Sequence, residues 1–168
     1  MNKREVENET RKHIDTVRAL LDKVRREIGD RAINHDRSKL ESPEREIFEI
    51  YTEKLKDCTY GSDEYKQFLK EMKPALDHHY ANNRHHPEHY ALTLADDFQY
   101  HEKGKKNLIC CMTLIDIIEM VCDWRAATQR HADGDIMKSI EINQKRFGYG
   151  DELKQILINT IEALKDSK

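Results

Sequence analysis

The side chains able to do metal or acid–base chemistry gather in three places along the 168 residues. The first is His35-Asp36, with His13 on the preceding predicted helix. An adjacent imidazole and carboxylate can both bind one divalent ion, and the carboxylate can also bridge two. Alone the dipeptide is weak, because an Asp at a helix start that a His happens to precede explains it equally well. The second place is His78-His79 followed by His85-His86-Pro87-Glu88-His89, which holds five of the nine histidines within twelve residues. Neutral imidazoles bind divalent transition metals, and the Asn82-Asn83-Arg84 segment between the pairs lets them converge on an ion or a substrate. A solvated His-rich loop that binds zinc weakly is the competing reading.

The third place is Asp116, Glu119 and Asp123, whose spacing puts three carboxylates along one face of a helix. Ile115, Ile117, Ile118, Met120, Val121, Cys122 and Trp124 make the same stretch apolar almost all round, so at least one of these carboxylates is expected to be buried. A buried carboxylate needs a cation, a hydrogen-bond network or a raised pKa, and a metal would satisfy it. Without a metal, Asp116 serves as a helix cap and Asp123 pairs with Arg125 or Arg84.

Helices must position these groups. Ile14, Val17, Leu20, Leu21 and Val24 mark one face of a helix from Val6 to Ile28, and Gly29 supplies a stop. A short segment from Ala32 to Leu40 carries His35-Asp36, and Ser42-Pro43-Glu44 restarts the chain as a helix through Leu55, with Ser42 as its cap and Pro43 in its first turn. Ser62 caps a helix from Asp63 to about Tyr80 that Pro74 kinks or breaks. Residues 81–106 have no sustained period and read as a long His-rich loop with one helical turn. Leu108 to His131 is the most apolar stretch and carries the predicted central helix, opened by a Thr113/Asp116 capping box. Asp135 to Arg146 and Asp151 to Leu164 read as amphipathic helices around the Gly148-Tyr149-Gly150 turn; they can cover the core or form a homodimer surface. The expected fold is all-α, a single-domain bundle of about six helices spanning residues 1–168.

Composition agrees with helices that have solvated outer faces: 36% charged and 38% hydrophobic residues, with six Gly and three Pro. The net charge of −3 and the dispersed Lys and Arg leave no basic patch, so nucleic acid is not the expected partner. Met1 to Lys12 is charged throughout and no apolar run reaches membrane-spanning length, which predicts a cytoplasmic protein without a membrane partner. The four cysteines include the adjacent Cys110-Cys111 but no CxxC, and read as reduced thiols.

The ordered set His13, His35-Asp36, His78-His79, His85-His86 and Asp123 resembles the HD-domain superfamily of metal-dependent phosphohydrolases. His35-Asp36-Arg37-Ser38-Lys39 is similar to the His-Asp-x-Gly-Lys segment of the HD-GYP subgroup of cyclic dinucleotide phosphodiesterases. His78-His79 with Pro87 partly echoes that subgroup's second segment, whereas its Gly-Tyr-Pro loop is missing. The resemblance implies an HD-domain-like fold and one or two divalent ions, drawn from Mn, Fe, Co, Ni or Mg. By it, His13, His35, Asp36 and Asp123 would hold one metal; the His78-His79 pair, chiefly His79, with His85 or His86 would complete a second, and Asp36 would bridge. Asp36 and Lys39 would be the catalytic residues, and Lys39, Arg84, Lys145 and Arg146 the contacts to a small phosphorylated substrate, a nucleotide first of all. For Lys145 and Arg146 a solvated helix end is an equal reading. The implied reaction is hydrolysis of a nucleotide or other small phosphoester by a metal-activated water. A di-iron oxygenase of the same superfamily, or a non-catalytic regulator that a metal holds together, are the alternatives. The chain also resembles an uncharacterised family of bacterial and phage proteins, on the segments His35 to Lys39, Met72 to Tyr90, Met112 to Arg130 and Ser139 to Phe147.

Overall fold

The computed structural model describes residues 2–58, 62–93, 108–130 and 134–164. Among the described residues there are eight α-helices, two short 3-10 turns and no strand. The all-α class is as expected, and the helix count exceeds the expected six. The chain divides into two compact units, Met1–His35 and Asp36–Lys168.

The first unit is one helix, α1 (Lys3–Asn34), opened by a capping box between Asn2 and Glu5. It runs straight through Gly29, the predicted stop. A single helical glycine costs only about 1 kcal/mol relative to Ala, and the flanking residues re-form the turn, with Arg31 Nε 3.2 Å from Glu27 Oε1 across it. The apolar stripe that marks the helix in the sequence is solvent-exposed at Ile14, Val17, Leu20, Leu21 and Val24.

The second unit begins with a 3-10 turn, Arg37–Leu40, followed by α2 (Glu44–Asp57), α3 (Asp63–Glu71), α4 (Lys73–Asn82) and α5 (Pro87–Thr93). Pro43, not Ser42, flanks α2. Ser62 caps α3 by accepting from the Tyr65 N–H at 3.1 Å. The break expected near Pro74 falls at Met72, and Pro74 sits in the first turn of α4, where its missing N–H is harmless. Part of the predicted loop is helical: α4 continues to Asn82, and Pro87, suited to a first helical position, opens α5. Residues 94–107 lie outside the described residues.

A second 3-10 turn, Leu108–Cys111, precedes α6 (Leu114–Thr128), α7 (Ile136–Phe147) and α8 (Asp151–Ala163). The predicted Thr113/Asp116 capping box opens α6, and Asp135 caps α7 by accepting from the Met137 and Lys138 N–H groups. Ile109, Met120, Val121, Ile136, Ile140, Phe147, Tyr149, Leu157 and Ile161 form the core between these elements, with Trp124 stacked on Phe147. One face of each C-terminal helix therefore covers the core. A separate packing of α2 against α4, α4 against α5, and both α2 and α4 against the first 3-10 turn assembles the histidine region. No helix is long and apolar enough to cross a membrane among the described residues.

Candidate metal centre

Asp36 opens the second unit in the left-handed backbone region, at φ 54 and ψ 16. This conformation is uncommon for L-residues, and Asp is one of the few types that adopt it as single residues. The turn closes where the Lys39 N–H donates to the Asp36 carbonyl at 2.9 Å. With three residues per 3-10 turn the two side chains eclipse, and Lys39 Nζ donates to Asp36 Oδ2 at 2.6 Å. The other oxygen, Oδ1, lies 3.3 Å from His79 Nε2 and 3.5 Å from His85 Nε2.

His79 is held from α4 with 2% of its surface exposed, and His85, in the turn between α4 and α5, with 1%. His86, the next residue, brings its Nε2 to 2.9 Å from His79 Nε2. Asp36, His79, His85 and His86 each contribute one donor atom to a set lying within 4.8 Å of one another. Behind the rings stand two carboxylates. Glu44, at the start of α2 and 0% exposed, places Oε2 2.8 Å from His79 Nδ1 and Oε1 2.7 Å from His78 Nδ1. Glu119 on α6 places Oε1 3.0 Å from His85 Nδ1. Asn83 donates to the Ser38 hydroxyl and to the His79 carbonyl, both at 2.8 Å, and so ties the end of α4 to the 3-10 turn.

The field in the cluster keeps rings neutral. Burial, then the Lys39 ammonium, holds the His79 pKa below the usual histidine value against the opposing carboxylates of Asp36 and Glu44. Burial, then the neighbouring His85 and His79, brings His86 down to about 3, although Asp123 and Asp36 pull the other way. A neutral imidazole keeps the lone pair that a metal needs.

The structure distributes the remaining predicted residues unevenly. His35 caps the C-terminus of α1, half-buried, and is joined to Asp36 by one peptide bond. His13 is exposed on α1, about 33 Å along the helix from His35 at the ~1.5 Å rise per residue of an α-helix. These two residues of one chain therefore cannot share an ion. His78 is partly exposed and outside the donor set, turned onto Glu44 instead. His89 Nδ1 donates to the Tyr80 carbonyl at 2.9 Å. Asp123 is half-buried on α6, close enough for its charge to act on His86.

Asp116 is fully buried, as one of the three α6 carboxylates had to be, but protein donors satisfy it. Its Oδ2 accepts from the Thr113 N–H and hydroxyl at 2.8 Å, from the Tyr90 hydroxyl at 2.7 Å and from Arg84 at 3.4 Å. Arg84 thus pairs with Asp116 rather than Asp123. Arg146 pairs with Glu88 and lies over the Phe147 ring; Lys145 is exposed in the last turn of α7. Of the four candidate phosphate contacts, Lys39 is the one bonded to a residue of the donor set.

Sequence reasoning missed Glu44, Ser38 and Asn83. An acidic residue in a first helical turn is ordinary, because it complements the helix dipole, so nothing marks Glu44 before α2 is packed against α4. No curated protein and no solved structure matches the chain. A family model matches residues 2–165, almost the full length, and the chain belongs to that family, the family of unknown function DUF5662.

Proposed function

We propose that this chain is a metal-dependent phosphohydrolase of HD-domain-like architecture, acting in the cytoplasm on a nucleotide or other small phosphoester. One observation carries the metal: the spacing of the donor atoms. Two donors about 2.1 Å from a common ion stand about 3.0 Å apart at a right angle and about 3.4 Å apart at the tetrahedral angle. The contacts of 2.9, 3.3 and 3.5 Å among His79, His86, Asp36 and His85 have the lengths of such edges. Three imidazoles and one carboxylate suit Mn, Fe, Co or Ni better than Mg, which prefers an all-oxygen shell.

Asp123, on the helix that carries Glu119, is the donor we assign to a second ion, with Asp36 as the bridge. The ion would lower the pKa of a bound water so that it attacks phosphorus near neutral pH. Lys39 supplies fixed positive charge beside the donor set. It can exchange part of its interaction with Asp36 for a phosphate oxygen as charge builds on the transferred group. Arg84 and Arg146 pair with carboxylates outside the donor set, whereas Lys39 is bonded to Asp36 within it, so Lys39 is the phosphate contact with the best support.

The test is metal content of untagged protein, followed by a phosphatase screen over nucleotides and small phosphoesters with each of the five metals. Bound transition metal and a hydrolysed phosphoester are expected, and Asp36→Ala should lose both. Metal-free wild-type protein of unchanged stability refutes the reading. Iron with oxygen consumption and no phosphate release would replace hydrolysis by oxygenation, and an active Asp36→Ala variant would refute the site.

A further inference from the structure

Glu44 lies on none of the sequence motifs, yet it is 0% exposed and its two carboxylate oxygens are occupied by two neighbouring histidines. A carboxylate accepts hydrogen bonds and cannot donate them, so an N–H must stand on each nitrogen that faces it. For His79 that nitrogen is Nδ1. Asn83 Nδ2 is also near, at 3.0 Å, but its two hydrogens are directed to the Ser38 hydroxyl and the His79 carbonyl. The proton between Glu44 and His79 therefore belongs to the ring. A neutral ring protonated at Nδ1 carries its lone pair on Nε2, the atom 3.3 Å from Asp36 Oδ1 and 2.9 Å from His86 Nε2.

We propose that Glu44 is the positioning residue of the centre: it locks His79 in the Nδ1–H tautomer and aims the Nε2 lone pair at the ion. The inference rests on the metal reading above. His78, 40% exposed on its side chain, takes the second oxygen and anchors the carboxylate from the solvent side. Glu119 stands in the same relation to His85, 3.0 Å from Nδ1, so two of the three imidazoles are each backed by a carboxylate on a different helix. Carboxylates behind metal-bound imidazoles fix ring orientation and raise ligand basicity, and losing one typically weakens metal affinity 10–100-fold.

Glu44→Gln separates positioning from packing. The amide has nearly the same shape, but it offers one acceptor and one donor where the carboxylate offered two acceptors. One of the two histidines must then give up its Nδ1–H. The experiment measures Co2+ affinity of wild type and Glu44→Gln by titration, and reads the His79 ring tautomer from 15N shifts of the metal-free proteins. The expected result is a Kd 10–100-fold weaker in the variant and a wild-type His79 protonated at Nδ1. Equal affinities, or a wild-type His79 protonated at Nε2, would overturn the inference. The wild-type tautomer measurement needs no variant, so it decides the matter even if Glu44→Gln fails to fold. A wild-type protein that binds no Co2+ sinks the metal reading, whereas the tautomer still decides what Glu44 does.

Discussion

Replacing Asp116 by Ala should destabilise the protein by about 2–4 kcal/mol, a figure built from the donors that one carboxylate serves. The Thr113 N–H and hydroxyl, both at 2.8 Å, make up the start of α6, and losing a helix cap of this kind costs ~1 kcal/mol. The Tyr90 hydroxyl, at 2.7 Å on a residue only 7% exposed, loses its acceptor; a buried donor left without one costs ~1–3 kcal/mol. Arg84 is 49% exposed on its side chain and is re-solvated, so its 3.4 Å contact adds little. Urea unfolding of wild type, Asp116→Ala, Tyr90→Phe and the double variant closes a cycle. In the Asp116→Ala background Tyr90→Phe removes the stranded hydroxyl, so it should cost less than in the wild type, with a coupling of about 1 kcal/mol or more. A single-variant loss under about 0.5 kcal/mol, or strict additivity, would refute the account of Asp116 as a hydrogen-bond hub.

Two further outcomes follow from the backbone and the core. Gly29→Ala and Gly148→Ala should have opposite signs: Gly29 is interior to α1 with open space around its missing Cβ and should gain about 0.5–1 kcal/mol. Gly148 ends α7 at φ 70 and should lose about 1–2 kcal/mol, although it too has open space; equal signs in thermal unfolding would contradict the two backbone assignments. Tyr149 is 4% exposed and donates to the Ile140 carbonyl at 2.6 Å, and burial pushes its hydroxyl up to about 12. A pKa raised on folding stabilises fully below the unfolded value near 10, and that contribution is lost as pH rises towards 12. The stability difference between wild type and Tyr149→Phe should therefore shrink by ~2–3 kcal/mol between about pH 10 and 12, and a pH-independent difference would exclude the buried hydroxyl as its source.

Helix ends with a local chemical cause were legible in the sequence. Ser62, the Thr113/Asp116 pair, Asp135 and Gly148 each act within three or four residues of themselves, and each stands where the sequence predicts a boundary. Boundaries that depend on competition were not. Gly29 reads as a stop only if its cost of about 1 kcal/mol outweighs the helix formers beyond it, and Asp30 to Ile33 carry α1 on to Asn34. The two turns of α5 were hidden because the polar histidines of residues 85–89 break the apolar period, while Pro87 starts a helix without needing one.

For the candidate site, histidine density located the region but could not assign its members, and the reason is geometric. Adjacent residues on a helix point about 100° apart, so His78 and His79 cannot both face one pocket: His79 is 2% exposed and His78 40% on the side chain. His85 and His86 lie in a turn, where the backbone is free of that rule, and their ring centroids sit 4.2 Å apart with both in the donor set. The same two-residue signature thus means one donor on α4 and two in the turn. A sequence cannot say which applies until it is known where α4 ends, and that end is held by Asn83 bonding to Ser38 in a turn 45 residues earlier. The site is therefore assembled by the long-range contact of α4 with the 3-10 turn and α2, the same contact that buries Glu44.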